Sequence, residues 1–382
     1  MPCGIATLPL RRWLELADGP GRMRPMEGLR GVAVILVFLQ HYAVQTQLFV
    51  DLGPVSAELA AMARSFGNLG VELFFILSGY LIYGTLLRRN PGFLPFMARR
   101  VERLYPAFLA VFALAVAWHL LLRTGEIPAA PEAAVRVILA NLLFLPGVVA
   151  MPPVLEVAWT LSWEMAFYLL LGLAVPGLRM AAWPRAGRIA FIIAGAAAVT
   201  AGSLAAPQGI GPFAAPLVAL PFFAGMLLFE VKDTSRLTVP GGLAFAAGAG
   251  ALLFARYVAP SRVALEWMET LALTVLCAAA FQDGNSAARL LAWEKLRWLG
   301  NMSYSYYLLH GVIVVATFRG LAWQVGLGWP SWAAWGLLPV TFALSVAASL
   351  GLFLAVERPF SLKPRRICPA AAPTAASRAP PA

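Results

Sequence analysis

Long uncharged apolar runs recur along most of this chain, and they constrain its fold more than any other feature. Most of these runs are near the ~20 residues that an α-helix needs to cross a bilayer. Charged residues make up 12% of the sequence, whereas soluble domains carry about 25%. The pattern predicts an all-α polytopic integral membrane protein. Eleven runs stand out, at 30–50, 67–87, 104–122, 135–150, 157–177, 189–206, 211–229, 239–259, 264–281, 302–322 and 332–356.

The fourth run, 135–150, is the doubtful span, because Asn141 and the pair Pro146–Gly147 interrupt it. If it does not span and the N-terminus is cytoplasmic, 23 of the 29 Lys and Arg residues fall on the cytoplasmic side. Letting it span would move the cluster from Arg179 to Arg188 outside. Because cytoplasmic loops carry the excess of Lys and Arg, we expect about ten transmembrane helices with the N-terminus and C-terminus both cytoplasmic.

The remaining bulk features exclude some classes of protein. The three cysteines show no CxxC spacing, so we expect no zinc site and no bound metal. The net charge of +11 comes without a basic run interleaved with aromatics, which argues against nucleic acid as a partner. We expect residues 1–25 to form a disordered cytoplasmic arm without a secretory leader, 26–360 a transmembrane domain, and 361–382 a disordered cytoplasmic tail.

Ionisable residues inside the apolar runs indicate where chemistry could take place, since charge is costly in a bilayer. His41 lies about 16 Å above Arg30 along its helix, which is near the membrane centre. Depth estimates place His310 and Glu164 in the same central band. His119 lies near the outer end of its helix and is expected to be interfacial.

His41 has two interpretations. It could be hydrogen-bonded between packed helices without a catalytic role. Alternatively it is a general base, since a histidine oriented by a carboxylate such as Glu164 is suited to taking a proton from a hydroxyl. Glu72, Ser78 and Glu357 are expected to be structural, with Glu357 paired to its neighbour Arg358.

Arg100 and Arg103 lie three residues apart in a basic cluster that opens the third helix, and so share one face. Such a pair could hold phosphate groups of a cytoplasmic ligand. It could equally be ordinary positive charge on the cytoplasmic side.

Six motifs stand in order between about residue 26 and residue 360. They are MEGLRGVAVILVFLQH (26–41), NLGVELFFILSGYLI (68–82), RRVERLYP (99–106), AWTLSWEMAFYLLL (158–171), LGNMSYSYYLLHG (299–311) and VERPF (356–360). In this order they resemble the motifs of the membrane acyltransferase family 3, bacterial enzymes that acylate sugars and other metabolites. The region 185–285 matches almost nothing in that family.

The resemblance implies a ten-helix membrane domain in the form without an extracytoplasmic SGNH domain. It implies transfer of an acyl group, often acetyl, from cytoplasmic acyl-coenzyme A to a hydroxyl of a carbohydrate, glycolipid or glycosylated metabolite. The enzyme would be an acyltransferase for groups other than amino-acyl groups, in the bacterial inner membrane, without a tightly bound cofactor. Carried over by position, His41 would be catalytic with Arg30 as its partner, and Arg100 and Arg103 would bind coenzyme A.

Roles for the other polar residues of these motifs are less specific. Glu164 could orient a histidine or a sugar hydroxyl. The acceptor cavity could be lined from two helices, by Ser162, Trp163, Tyr304, Tyr307 and His310. A buried hydrogen-bond network that holds the helices together is the alternative.

Two other classes of function compete with an acyltransferase. A proton-coupled transporter or flippase would use the intramembrane His and Glu residues as a relay, but the sequence shows no inverted repeat. A non-catalytic membrane scaffold would leave the central His and Glu residues unexplained.

Overall fold

The computed structural model of the protein describes residues 11, 13–15, 23–122, 126–149, 151–205, 216–232, 240–282 and 284–362. Within these ranges the chain is almost entirely helical. The main helices are α1 Arg24–Phe49, α2 Pro54–Arg89, α3 Phe93–Leu122, α4 Pro131–Leu142, α5 Trp159–Gly177, α6 Arg185–Ala205, α7 Leu220–Lys232, α8 Gly241–Val258, α9 Arg262–Ala280, α10 Ser286–Leu291, α11 Glu294–Asn301, α12 Ser303–Val325 and α13 Ser331–Leu352.

Short elements complete the described chain. Single 3₁₀ turns precede α5 (Glu156–Ala158), follow it (Met180–Ala182) and precede α7 (Pro216–Ala219). A π-helical segment, Phe353–Ser361, continues α13. Two strands of two residues each, β1 (Val50–Asp51) and β2 (Trp329–Pro330), pair in parallel where α1 ends and α13 begins.

Nine helices of the described chain are long and apolar enough to cross a bilayer. α4 is not among them, because its 12 residues extend about 18 Å against the ~30 Å of a hydrocarbon core. This agrees with the prediction that the run 135–150 does not span.

The seventh predicted run, 211–229, is not among these nine helices. If it crosses the membrane, the number of spans is ten instead of nine. Residues 211–215 lie outside the described chain, and α7 itself has 13 residues. The element nevertheless lies along α6 in the antiparallel direction. The Leu217 amide donates to Ser203 Oγ at 2.7 Å near one end, and Arg188 Nε bonds Glu230 Oε1 at 2.6 Å near the other. Ten spans with both termini on one side remain a prediction.

Apolar side chains lie on both the inside and the outside of the bundle. Aromatic rings fill the interior, as where the Phe222 ring stacks between Phe75 at 4.2 Å and Phe167 at 4.3 Å. Large apolar side chains such as Leu121, Leu170 and Trp323 are exposed on the surface. A surface of this kind is expected where the solvent is lipid.

Helices α2 and α7 approach so closely that their backbones touch. A Cβ built on Gly79 would lie 2.2 Å from the Phe222 carbonyl oxygen, and one on Gly225 would lie 2.0 Å from that of Ile76. A Cβ at Gly84 would lie 2.3 Å from the Phe229 ring. Glycine at these positions permits the contact, as small residues do in membrane helix packing.

The two ends of the bundle differ in charge. The end at which α1 begins carries Arg30, Arg100 and Arg103, and we call it the arginine end. The opposite end, where β1 and β2 pair, is the distal end. At the arginine end, four described residues of the predicted N-terminal arm are docked on α11, where Asn301 donates to the Leu14 carbonyl and Arg297 pairs with Glu15. The rest of that arm up to residue 22, and the tail from residue 363, lie outside the described chain.

Candidate active site

A cavity of about 300 Å³ lies at the arginine end, between α1, α2, α3, α5 and α12. We call it the arginine cavity. Its lining combines residues up to about 270 positions apart in the sequence, so it exists only once the helices have packed. The polar lining residues are Arg30, Ser78, Thr85, Arg100, Arg103, Thr160, Glu164, Tyr168, Ser303, Tyr304 and Tyr307.

One of the three arginines in this cavity is neutralised by a buried carboxylate. Arg103 forms an ion pair with Glu357, whose side chain is fully buried. Glu357 also accepts hydrogen bonds from the backbone amide and the hydroxyl of Ser305, at 3.0 and 2.5 Å. The sequence-based pairing of Glu357 with Arg358 is therefore wrong. The π-helical segment, wider than an α-helix, carries Glu357 into the bundle while Arg358 lies over the Trp13 ring.

The other two arginines have no carboxylate ion pair within the described chain. Arg30 Nε donates to Ser303 Oγ at 3.1 Å. The Arg100 guanidinium lies 5.4 Å from the centre of the Phe96 ring and 5.6 Å from that of Tyr168, a cation–π arrangement. Its Nε is buried without a hydrogen-bond partner among the described residues. Both guanidinium groups are therefore available to an anion in the cavity.

Glu164 is the one carboxylate that lines the arginine cavity. It accepts hydrogen bonds from Ser78 Oγ, at 3.0 Å, and from the Tyr168 hydroxyl. These two donors fix its orientation. One carboxylate, Glu164, stands against two guanidinium groups, Arg30 and Arg100. The cavity therefore keeps an excess of positive charge.

Beyond the arginine cavity, two histidines form a pair in the middle of the bundle. The ring centres of His41 on α1 and His310 on α12 are 4.9 Å apart, edge to face. His310 is fully buried, and its Nδ1 lies 3.0 Å from the Tyr306 carbonyl oxygen. Since a carbonyl can only accept, Nδ1 carries the hydrogen and Nε2 keeps a lone pair. No described residue donates a hydrogen bond to that Nε2.

A single layer of side chains separates the histidine pair from the arginine cavity. Tyr307 lines the cavity and lies one turn before His310, with ring centres 5.9 Å apart. Its hydroxyl donates to the Val157 carbonyl at 3.0 Å and lies 2.7 Å from Thr160 Oγ1. We call Tyr307, Thr160 and Val157 the partition.

The structure groups the predicted site residues differently from the sequence. Arg30, Arg100, Arg103, Glu164, Tyr304 and Tyr307 share the arginine cavity. His41 and His310 are together, but along α1 Arg30 is about 16 Å from His41, so the two are not in contact. Within the described chain, no hydrogen bond joins Glu164 to either histidine.

Three residues predicted to line the acceptor site, Ser162, Trp163 and His310, do not line this cavity. Ser162 is buried and donates to the Pro146 carbonyl, so it fastens the loop after α4 to α5. Trp163 is half-buried and packs against the core. Ser78, Tyr168 and Glu357 belong to the site although sequence reasoning gave them no site role; each lies within one of the six motifs.

Fold and site together define a multi-pass membrane protein with a cationic cavity beside a histidine pair. Residues 25–354 match the family profile described as an acyltransferase domain, so the chain belongs to acyltransferase family 3. It is an acyltransferase for groups other than amino-acyl groups, as the resemblance implied.

Three similar proteins support the assignment to the acyltransferases. The chain is 28% identical over 317 residues to an exopolysaccharide production protein, ExoZ, of Rhizobium meliloti, covering 80% of this chain and 92% of that protein. It is 26% identical over 282 residues to a putative peptidoglycan O-acetyltransferase, YrhL, of Bacillus subtilis, covering 65% of this chain and 44% of that protein. It is 29% identical over 175 residues to the O-acetyltransferase OatA of Staphylococcus aureus, covering 42% and 26%.

The chain therefore spans nearly the whole Rhizobium protein but less than half the length of the other two. No solved structure matches it.

Proposed function

We propose that this protein is a membrane O-acyltransferase that moves an acyl group, acetyl in the simplest case, from cytoplasmic acyl-coenzyme A to a hydroxyl of a carbohydrate, glycolipid or glycosylated metabolite. The observation that carries the proposal is the arginine cavity, which holds two guanidinium groups without a carboxylate partner and ends one turn before the histidine pair.

Charge in the cavity favours coenzyme A as the donor. Its phosphates suit the guanidinium groups of Arg100 and Arg30, since arginine binds phosphate through paired N–H donors. The distance of about 16 Å from Arg30 to His41 is one that the extended pantetheine arm of coenzyme A can bridge. The thioester would then lie at the partition. No tightly bound cofactor or metal is needed for this reaction.

His41 is the proposed general base. It takes the proton from the acceptor hydroxyl, the hydroxyl oxygen attacks the thioester carbonyl, the C–S bond breaks, and the proton passes to the departing thiolate. His310, with its Nδ1 hydrogen held by Tyr306, presents a lone pair towards the same region and holds the His41 ring in place. With His41 as a base, the acyl group can pass from the thioester to the hydroxyl in a single step. A covalent acyl-enzyme would instead require a nucleophilic side chain that attacks the thioester.

The arginine end is proposed to face the cytoplasm, where acyl-coenzyme A is found. Both termini would then be cytoplasmic, in a bacterial inner membrane. The antiparallel course of α7 beside α6 supports the ten crossings that this orientation needs. The excess of Lys and Arg at this end supports the same orientation.

The name of the Rhizobium relative refers to an exopolysaccharide, and that of the Bacillus relative to peptidoglycan. Both are carbohydrates that carry free hydroxyls. A sugar hydroxyl is therefore the proposed acceptor for this chain.

The test is thioester turnover by the purified full chain in lipid nanodiscs with acetyl-coenzyme A. We expect His41→Gln, which keeps a polar side chain but removes the base, to lower the release of coenzyme A by on the order of 10²-fold or more. Gln47→Ala serves as the control, because Gln47 is on α1 and bonds Arg64 instead of lining the arginine cavity. Transport of a sugar-bearing substrate without thioester cleavage would overturn the proposal and favour a proton-coupled transporter.

A further inference from the structure

A second, larger cavity lies at the distal end of the bundle. It has a volume of about 560 Å³ and lies between α1, α3, α12 and the loop before α5. We call it the distal cavity. It shares no lining residue with the arginine cavity. Its polar and aromatic lining consists of Gln45, Phe49, Trp118, His119, Glu126, Glu156 and Arg319.

His119 holds one wall of this cavity in place. Its Nε2 donates to the Val154 carbonyl at 2.9 Å, and its Nδ1 lies 3.2 Å from Glu126 Oε2. The ring therefore ties α3 to the loop that carries Glu156. From the sequence His119 had been expected to be an interfacial residue. In the structure it supports a binding cavity.

The two cavities differ in charge, and this decides which ligand each would accept. The arginine cavity has an excess of guanidinium groups, whereas the distal cavity has two carboxylates, Glu126 and Glu156, against Arg319 and His119. Without an excess of guanidinium groups, the distal cavity is a poor site for a polyphosphate such as coenzyme A. An uncharged polyhydroxylated ligand suits it better, because carboxylate and amide groups bind hydroxyls and the Trp118 ring offers an apolar face for the C–H side of a sugar.

The histidine pair lies between the two cavities along α1 and α12, although neither His41 nor His310 lines either of them. His41 is eleven positions after Arg30, or about three turns of α1, and Gln45 is four positions after His41, or about one turn. One face of α1 therefore carries Arg30 in the arginine cavity, Gln45 in the distal cavity, and His41 between them. On α12, Tyr307 lines the first cavity and Gly311 the second, with His310 between them.

We propose that the distal cavity is the acceptor site and binds a sugar unit of the acylated glycan or glycoside. This rests on the proposed function. The donor thioester reaches the partition from the arginine end and the sugar hydroxyl reaches His41 from the distal end. The hydroxyl oxygen forms the new bond to the acyl carbon, the C–S bond breaks, and the hydroxyl proton passes through His41 to the thiolate.

The first test separates the two cavities by their ligands. The purified full chain in nanodiscs is given acetyl-coenzyme A, with and without tetramers of glucose or of N-acetylglucosamine. We expect at least one tetramer to accelerate coenzyme A release. Trp118→Leu and Glu156→Gln should each raise the tetramer concentration needed by on the order of tenfold and leave coenzyme A binding, measured by calorimetry, unchanged.

Trp332→Leu is the matched control, since Trp332 is an exposed tryptophan at the distal end that does not line the cavity. If neither tetramer affects the wild-type protein, or if Trp118→Leu leaves the tetramer response intact, the acceptor assignment is overturned. A protein without thioester turnover or coenzyme A binding would instead contradict the proposed function, so the two failures can be told apart.

A second test determines from which side the distal cavity is reached. A Cβ at Gly311 would meet Val157 Cγ1 at 3.7 Å, an ordinary contact, so Gly311→Cys can be accommodated. In a background with Cys3, Cys277 and Cys368 replaced, a membrane-impermeant maleimide added outside spheroplasts should label this variant. Labelling should abolish the tetramer response and preserve coenzyme A binding. Labelling from the cytoplasmic side alone, or none from either side, would overturn the proposal.

Discussion

Arg99, Arg100 and Arg103 form one basic run on α3, but the structure gives them three different environments. Arg100 faces the arginine cavity with an unpartnered Nε, Arg103 is held by Glu357, and Arg99 does not line the cavity. Spacing alone left two interpretations of Arg100 and Arg103, a pair that holds phosphate groups or ordinary cytoplasmic charge. Within the described chain, Arg100 and Arg30 are the cavity arginines without a carboxylate ion pair, although they lie on different helices.

Substitution at these arginines tests that difference. We expect Arg100→Ala and Arg30→Ala each to weaken coenzyme A binding by about ten- to a hundredfold, the effect of losing a charge-assisted hydrogen bond. Arg99→Ala, which removes the same charge from the neighbouring position, should change the affinity by less than about threefold, because Arg99 does not line the arginine cavity. Calorimetry on the purified proteins measures all three. Equal losses for Arg99→Ala and Arg100→Ala would refute the assignment of Arg100 to the donor site.

Glu357 provides a second prediction for a single residue. Glu357→Gln leaves Arg103 without its carboxylate, and losing one partner of a buried ion pair costs about 3–5 kcal/mol. We expect a lower midpoint of thermal unfolding in detergent. Glu132→Gln, at an exposed position on the short helix α4, is the control and should leave the midpoint unchanged. A stable Glu357→Gln protein would mean that Arg103 is neutralised in another way.

At the scale of secondary-structure elements, the α2–α7 contact decides how closely the bundle packs. Both helices were predicted from their apolar content. The sequence did not reveal that they touch, because Gly225 lies in the region that matches none of the family motifs. Reciprocal contact of two backbones is a property of the pair, and neither helix shows it alone.

Alanine substitution tests this contact in two directions. Gly79→Ala places a methyl group 2.2 Å from a carbonyl oxygen, so the helices must separate. Overpacking of this kind costs about 1–3 kcal/mol. Gly336→Ala on α13 meets nothing within 4 Å and should be neutral or stabilising by up to about 1 kcal/mol, since alanine favours a helix more than glycine does. Thermal unfolding of both variants gives the comparison. A destabilised Gly336→Ala together with a neutral Gly79→Ala would contradict it.

The π-helical segment is another feature of element scale that sequence reasoning missed. Val356 to Phe360 was recognised as a motif, and Glu357 was paired with the adjacent Arg358. In the wider π turn Glu357 projects into the bundle, while Arg358 lies over Trp13. Local pairing of neighbours failed because the direction of a side chain depends on helix geometry as well as on sequence order.

On the scale of the whole molecule, the main feature is the partition between two cavities that open from opposite ends. Tyr307 closes it through its bonds to Val157 and Thr160. In the proposed mechanism, transfer requires this layer to open when both substrates are bound, and to stay closed when the thioester alone is present. A closed partition would then protect the thioester from water that enters the distal cavity.

Tyr307→Phe removes both hydrogen bonds and keeps the ring. We expect hydrolysis of acetyl-coenzyme A without acceptor to rise several-fold relative to transfer, because loss of about 1 kcal/mol per hydrogen bond shifts the partition towards its open state. The ratio of hydrolysed to transferred acetyl groups is measured with labelled donor. Thr85→Val, in the same cavity but away from the partition, is the control. An unchanged ratio in Tyr307→Phe would exclude the gating role.

What the sequence determined by itself was the class of the protein. Apolar runs and loop charge can be counted segment by segment, and they indicated a polytopic helical membrane protein with an interrupted run at 135–150. Depth along the predicted helices indicated the polar band of His41, Glu164 and His310. Ordered motifs then indicated the family. Each of these properties can be read within one segment of the chain.

The tertiary structure alone decided which of these residues act together. It paired His41 with His310, neutralised Arg103 with Glu357, and assigned Ser162 to a loop contact instead of a cavity. It also revealed the distal cavity. The physical reason is that a cavity, or the neutralisation of a buried charge, depends on side chains from helices far apart in sequence, and their contact is set by how whole helices pack.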